Sequence, residues 1–226
     1  MLLSPRLPEL NQRDRFIKRA AASRMIYAVS GEEGLGRVPS QRHRGREVTL
    51  LWTNRKAAER WADVIARQPQ IKVITLDALL GEVLPALSRL NRLAGPDWGS
   101  DPIEPELDAA DLAERLKREI VDGFVERVAA SRKVYMLEDT SGPALLVSAA
   151  QSGRLLLPCW SDRAFAEARI GGPWADMMSV EVPLQSFAHK TLRWLEDRGW
   201  LVGPDHMVGP DATEIAPAVL GSRFKV

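Results

Sequence analysis

The chain is written twice. Displaced by 108 residues, Phe16–Asp97 lies over Phe124–Asp205 without a gap. FIKRAAASRMIY faces FVERVAASRKVY, with Phe16/Phe124, Arg19/Arg127, Ser23/Ser131, Arg24/Arg132 and Tyr27/Tyr135 identical. Further on, GREVTLLWTNRKAAER (45–60) faces GRLLLPCWSDRAFAEA (153–168), and both copies close on Gly-Pro-Asp. So many matches at one offset read as a tandem duplication, and each copy must then satisfy one set of packing rules.

The same plan is legible in both halves. A helix opens each copy (about Arg13–Arg24 and Asp122–Arg132), followed by a short strand holding Tyr27 or Tyr135 and a glycine turn. ALLVS reads as a strand in the second copy, whereas the first has the more polar RVPSQ there. The next strand, Glu47–Trp52 or Arg154–Trp160, is largely apolar, as for a strand covered on both faces. Thr53-Asn54 and Ser161-Asp162 supply N-caps for helices expected over Arg55–Ala66 and Arg163–Ile170, the second stopped by Gly171-Gly172-Pro173. A strand and a leucine-striped helix follow (Leu76–Leu90 and Leu184–Arg198), and Pro85 should kink or break the first of these. A last short strand runs into Gly-Pro-Asp, read as a turn.

This order indicates an α+β fold: two homologous domains from an internal duplication, each a small mixed sheet packed with helices, forming a pseudo-dimer. The boundaries are a first repeat at 1–98 (core 16–97), a linker and connecting helix at 99–121, a second repeat at 122–206 and a C-terminal tail at 207–226. The connecting helix is capped by Asp108–Asp111 and can run into the second copy's opening helix, with Gly123 as the weak point. The tail repeats Gly-Pro-Asp at Gly209–Asp211 and reads as a short helix, Ala212–Leu220, interrupted by Pro217.

Charge and composition exclude more than they assign. With 31 basic and 30 acidic residues the formal net charge is +1, which argues against a dedicated polyanion binder while leaving room for a local basic patch. At 45% hydrophobic and 27% charged residues the chain is ordinary for a globular protein. Nowhere do about 18 apolar residues run together, so no membrane span is expected. The opening residues lack the pattern of a secretory signal, and Cys159 is the single cysteine, so a cytoplasmic location is the expectation.

Val134–Leu137, Leu156–Asp162, Ala166 and Trp200–Val202 make the second copy resemble the bacterial family catalogued as domain of unknown function 2750. The first copy resembles it more loosely, with Leu50-Leu51 standing where Pro158-Cys159 do. More distantly, the strand-cap-helix-strand-helix order is similar to enhanced-serine-sensitivity proteins and to small immunity-type domains. The resemblance implies a small α+β module and brings no catalytic residues with it.

The candidate sites are few. His43, His189 and His206 sit in unrelated contexts, and no second cysteine exists for a tetrahedral metal site, so neither metal nor cofactor is expected. Cys159 faces Leu51 of the other copy and reads as a small buried hydrophobe. Gly31–Gly36, GEEGLG, lacks the Lys-Ser/Thr of a phosphate loop and reads as a hairpin. The sharpest charge feature is Arg37–Arg46, with Arg42, Arg44 and Arg46, which reads first as a solvated loop and second as a phosphate-backbone contact. Trp52 and Trp160 end equivalent strands and, with Tyr27 and Tyr135, are structural anchors. Trp61, Trp174 and Trp194 have no aromatic counterpart and are free for an interface. Arg24/Arg132 with Tyr27/Tyr135 are the shared polar residues best suited to form a site.

Apolar and turn residues are shared while polar residues differ, so a catalytic site common to both halves is not expected. The leading expectation is a non-catalytic protein-binding module, regulatory or immunity-type, whose partner is another protein and whose contact surface is an interdomain groove. It would act as a monomer with pseudo-dimeric halves or as a weak homodimer. The alternatives are an enzyme with an interdomain site built from copy-specific residues such as Arg42, Arg44, His189 and Asp176, or nucleic-acid binding through Arg37–Arg46, the less favoured partner.

Overall fold

A computed structural model describes residues 7–99, 104–207 and 213–224. The chain divides into two compact units, Met1–Glu119 and Ile120–Val226. In the first, helix α1 (Leu7–Ser23) ends where Arg24 turns left-handed (φ 56°) and its N–H closes back on the Ala20 carbonyl at 3.0 Å. Strand β1 (Met25–Gly31) follows, and a tight hairpin pairs it with β2 (Gly34–Leu35), confirming GEEGLG as a turn. Next come β3 (Arg37–Pro39), β4 (Glu47–Leu51), helix α2 (Arg55–Ile65) and β5 (Gln70–Thr75). Helix α3 (76–89), β6 (Leu93–Pro96) and β7 (Leu107–Asp108) complete the unit's ladder.

Two small sheets result, ordered β2-β1-β5 and β3-β4-β6-β7. The first is antiparallel, while the second contains one parallel pair, β4 with β6. They meet where Tyr27 and Trp52 exchange backbone hydrogen bonds of 2.7 and 2.8 Å. β3 is a difference from the sequence reading: RVPSQ is polar by composition, yet Arg37, Val38 and Pro39 pair with Thr49, Val48 and Glu47. Pairing to a buried neighbour overrides composition on an edge strand.

The second unit repeats the design register for register. Helix α4 (Ala109–Ser131) passes through Gly123 without a break and ends on Arg132 (φ 61°). Then follow β8 (Lys133–Asp139), β9 (Gly142–Pro143), β10 (Leu146–Val147), β11 (Leu155–Cys159) and helix α5 (Arg163–Glu167). β12 (Met178–Pro183), helix α6 (184–196), β13 (Leu201–Pro204) and helix α7 (Pro217–Gly221) finish the chain. Tyr27↔Val73 becomes Tyr135↔Glu181, and Leu50↔Gly95 becomes Pro158↔Gly203. One core cluster joins Phe124, Val128, Phe187, Leu195 and Phe224; another joins Leu137, Ala144, Trp160 and Ala166. Trp52 and Trp160 are fully buried, and their indole N–H groups donate to the carbonyls of residues 98 and 206 at 2.9 and 3.1 Å.

Three local expectations change. Pro85 does not break α3: the helix passes through one wide π turn at Leu79–Val83, ending where the proline has no N–H to give. The second copy carries the same π turn at Phe187–Thr191 without a proline, so the turn belongs to the fold and tolerates Pro85 rather than resulting from it. Helix α5 stops at Glu167, short of the expected Ile170. Pro217 does not interrupt the last helix but begins it, with its fixed φ at the first helical position; Gly209–Asp211 lie outside the described residues.

The equivalence also continues past Asp97. Glu106 accepts hydrogen bonds from the Ser40 hydroxyl and the Gln41 N–H (2.6 and 2.8 Å), and Glu214 does the same for Ser148 and Ala149. β7 pairs Leu107 with Ala94 as Ile215 pairs with Val202. Leu107 and Ile215 therefore pair with the edge of the sheet at equivalent places in both copies.

Gly-Pro-Asp itself is more than a turn. Gly95 and Pro96 are the last residues of β6, and a Cβ on Gly95 would sit 2.6–2.8 Å from Leu50, Trp98 and Val48. Asp97 and Asp205 then adopt φ 50° and 44°. Each carboxylate accepts the N–H of Thr53 or Ser161 at 2.7 Å and that residue's hydroxyl as well. This clasp ties the end of β4 to the end of β6, and of β11 to β13.

Two outcomes are expected in urea unfolding followed by tryptophan fluorescence. Asp205→Ala strands the buried Ser161 N–H and hydroxyl and costs about 3 kcal/mol, whereas Asp97→Ala, beside a half-buried Thr53 that water can reach, costs about 1 kcal/mol. Arg132→Gly, at an exposed left-handed position, gains about 0.5–1 kcal/mol.

Candidate functional site

With the shared clasp spent on holding each repeat together, the surfaces that differ between copies carry the chemistry. In the first repeat a cleft of about 950 Å³ opens between α1 and the start of α2. Its walls include Arg15 and Arg19 from α1, Lys56 and Arg60 from α2, and the Asp97 clasp. Both cation pairs have i,i+4 spacing, so each puts two like charges on one helix face, an arrangement that costs about 0.2–0.5 kcal/mol per pair. The two wall carboxylates are already engaged: Glu59 takes Arg55 at 2.9 Å and Asp97 takes Thr53. Among the described residues the four cations have no ion pair. Gln12, buried at the base, donates to the Pro96 and Asp97 carbonyls and to Glu104.

The second repeat closes this place. Positions 15, 56 and 60 become Gly123, Ala164 and Ala168. Arg127, the counterpart of Arg19, folds onto the clasp instead, donating to the Ser161 hydroxyl at 2.8 Å and to the buried Asp205 carboxylate. Gly123 makes room for it, since a Cβ there would lie 2.9 Å from its guanidinium. Phe165, standing where Ala57 does, carries the same guanidinium over its ring at 5.9 Å.

What the second repeat opens is an apolar recess of about 670 Å³. Leu146, Val147, Ile170, Pro173 and Trp174 line it, together with the polar Arg169, His206 and Glu214. Val147 is 73% exposed and Ile170 38%, on an edge strand and just past the shortened α5. The first repeat fills the matching place. There α2 runs to Ile65 and brings Trp61 between Trp52 and Trp98, at ring distances of 6.4 and 6.3 Å. In the second copy those two positions are Arg169 and His206, and Trp174 comes back through Gly171–Pro173 to pack edge-on against Trp160 at 6.4 Å. Each strand-end tryptophan thus gets one ring partner from a different sequence position.

The residues singled out from sequence fare unevenly. Trp61 and Trp174 are half-buried props of their own cores rather than free surface, and Trp194 stacks edge-on with Trp200 at 5.1 Å under Arg198. In the basic stretch, Arg37 pairs with Glu33 and Glu47, Arg46 pairs with Asp108 and the Asn91 carbonyl, and Arg42 donates to the Glu104 carbonyl; Arg44 is exposed. Arg24 and Arg132 serve as left-handed helix ends, their carbonyls accepting the N–H of Leu76 and Leu184 at 2.9 Å. His189 and Asp176 are exposed. No cluster of three metal-ligating side chains occurs among the described residues. Sequence reading missed the four-cation cleft; its signal was two i,i+4 cation pairs, Arg15/Arg19 and Lys56/Arg60, three of whose members turn neutral in the second copy.

The model of the family described as "Protein of unknown function (DUF2750)" matches residues 13–116 and again 121–224. The two spans include Leu107 and Ile215 respectively. No curated protein matches the chain. A solved structure titled "Anabaena Tic22 (protein transport)" is 13% identical over 86% of this chain and 90% of that one, with a TM-score of 0.26, at which the likeness carries no argument. Among the described residues no helix is long and apolar enough to cross a membrane.

Cys159 is fully buried, its Sγ 3.7 Å from the Gly203 carbonyl, and burial followed by the Asp205 charge pushes its thiol well above the usual range. The reactive thiolate is therefore withheld at neutral and mildly basic pH. Iodoacetamide at about pH 8 is expected to alkylate the native protein at least about 100-fold more slowly than the urea-unfolded chain, read by mass spectrometry.

Proposed function

We infer that this chain, which belongs to the DUF2750 family through each of its two repeats, is a non-catalytic protein-binding module of the regulatory or immunity type. The single observation that carries this reading is the apolar recess of the second repeat. A recess lined mainly by Leu146, Val147, Ile170, Pro173 and Trp174, with Arg169, His206 and Glu214 as its few polar members, joins an apolar wall to a small number of polar groups, as a protein contact does. It suits an apolar side chain projected by a partner, the kind of anchor on which most interface energy concentrates.

The pattern of divergence supports the same reading. Two polar pairs that the copies share, Asp97/Asp205 and Thr53/Ser161, are committed to hydrogen bonds within their own repeats. A duplicated scaffold with altered surfaces is what a binding protein needs, since one copy can hold the fold while the other adapts. A buried, unpaired thiol suits a reducing compartment, and the bacterial cytoplasm is the proposed location. We take the working form to be a monomer or a weak homodimer.

The test uses the full chain as bait in its native cell, beside Val147→Asp and Ile170→Asp. Both positions are exposed, so the variants should fold. A partner held by the wild type and lost by both variants supports the reading. No specific partner, or one that the variants hold equally well, overturns it.

A further inference from the structure

We propose that the first repeat carries a second, independent binding site: the cleft between α1 and α2 binds a small polyanion bearing two or more oxyanion groups, phosphate or carboxylate. The argument begins with charge. Arg15, Arg19, Lys56 and Arg60 line one cleft, none of them in an ion pair among the described residues. Glu59 is paired with Arg55, which leaves Asp97, hydrogen-bonded to the neutral Thr53, as the one wall carboxylate set against four cations. Positive charge is thus in excess at one place in a chain whose formal net charge is only +1.

Next, the arrangement is unfavourable without a ligand. Arg15/Arg19 and Lys56/Arg60 are like-charge pairs one helical turn apart, and each pair repels itself. An anion seated between the helices converts both repulsions into attraction. Three of the four cations are guanidinium groups, whose planar fork matches the two oxygens of a carboxylate or phosphate. A volume of about 950 Å³ is of the size that holds a small organic molecule.

The second copy supplies the control within the molecule. There the same scaffold has Gly123, Ala164 and Ala168 at three of the four positions, and Arg127 turns inward to Asp205 and Ser161. The fold therefore does not require the cations of the first copy. Arg19 stays exposed in the cleft although Asp97 and Thr53 stand in the equivalent places, because Arg15 occupies the position at which Gly123 makes room for Arg127. Charge that the scaffold can do without, gathered around a cavity, points to something that fills it.

Isothermal titration calorimetry of the full chain with inorganic tripolyphosphate and, separately, citrate tests this at about 20 mM and about 200 mM salt. Saturable one-to-one binding is expected, weaker at the higher salt, and reduced at least about 10-fold by Arg19→Ala combined with Arg60→Ala. Arg44→Ala, an exposed arginine outside the cleft, should change it less than about 2-fold. Preference for tripolyphosphate names phosphate as the ligand's group, and preference for citrate names carboxylate. Absence of saturable binding by both probes at low salt, or an equal loss in the Arg44 variant, overturns the proposal. Circular dichroism of the double variant checks that its fold is retained. The recess variants Val147→Asp and Ile170→Asp should bind the anion as the wild type does, so this site and the proposed protein contact stand or fall separately.

Discussion

A carboxylate at the end of a parallel strand, held in a left-handed backbone conformation, fastens the frame of each repeat. Two parallel strands of four or five residues offer few ladder bonds, and their ends would fray. Asp97 and Asp205 stop that by reaching across to the backbone N–H and hydroxyl of Thr53 and Ser161, the second residues beyond the neighbouring strand. The glycine two residues earlier is needed because a Cβ would meet Leu50, Val48 and Trp98 at Gly95 and His206 at Gly203. One residue farther on, the carbonyl of position 98 or 206 receives the buried indole N–H of Trp52 or Trp160. Backbone, clasp and aromatic anchor thus converge within four residues, and everything placed on the helices above depends on them.

With that frame secure, the two copies solve the space around it differently. The first extends α2 and plugs the sheet end with Trp61, whereas the second cuts the helix short and returns Trp174 along a different path. The first leaves its clasp facing an open cationic cleft; the second covers the clasp with Arg127 and Phe165. Each copy opens a surface where the other is filled. Duplication makes such trading affordable, because a change that weakens packing in one half leaves the frame of the other intact.

Much of this was readable from the residues. Ile26, Val48, Leu50 and their partners Val134, Leu156 and Pro158 repeat a buried pattern, so the order of helices and strands followed from periodicity and caps. Asn54 and Asp162 do cap their helices, accepting from Ala57 and Ala164. Other features were hidden for physical reasons. The π turn at Leu79–Val83 leaves no composition mark, since it depends on backbone winding shared by sequences with and without proline. β3 is polar and gains its pairing only from β4. Glu106 and Glu214 looked like linker and tail residues, because a hydrogen bond spanning 66 positions has no local signature.

The sequence by itself determined the duplication, the α+β order, the burial of Trp52 and Trp160 and the inertness expected of Cys159, because these rest on spacing, volume and local caps. Only the tertiary structure decided which charges are consumed and which are left over. Arg37–Arg46 looked like the basic patch, but most of it closes on acids and carbonyls from other elements. Arg15, Arg19, Lys56 and Arg60 do not form a cluster in the sequence, scattered across 46 positions of chain, and two helices bring them to one cleft. Charge is counted along a sequence, but its availability depends on distance, and distance between remote residues is set by packing.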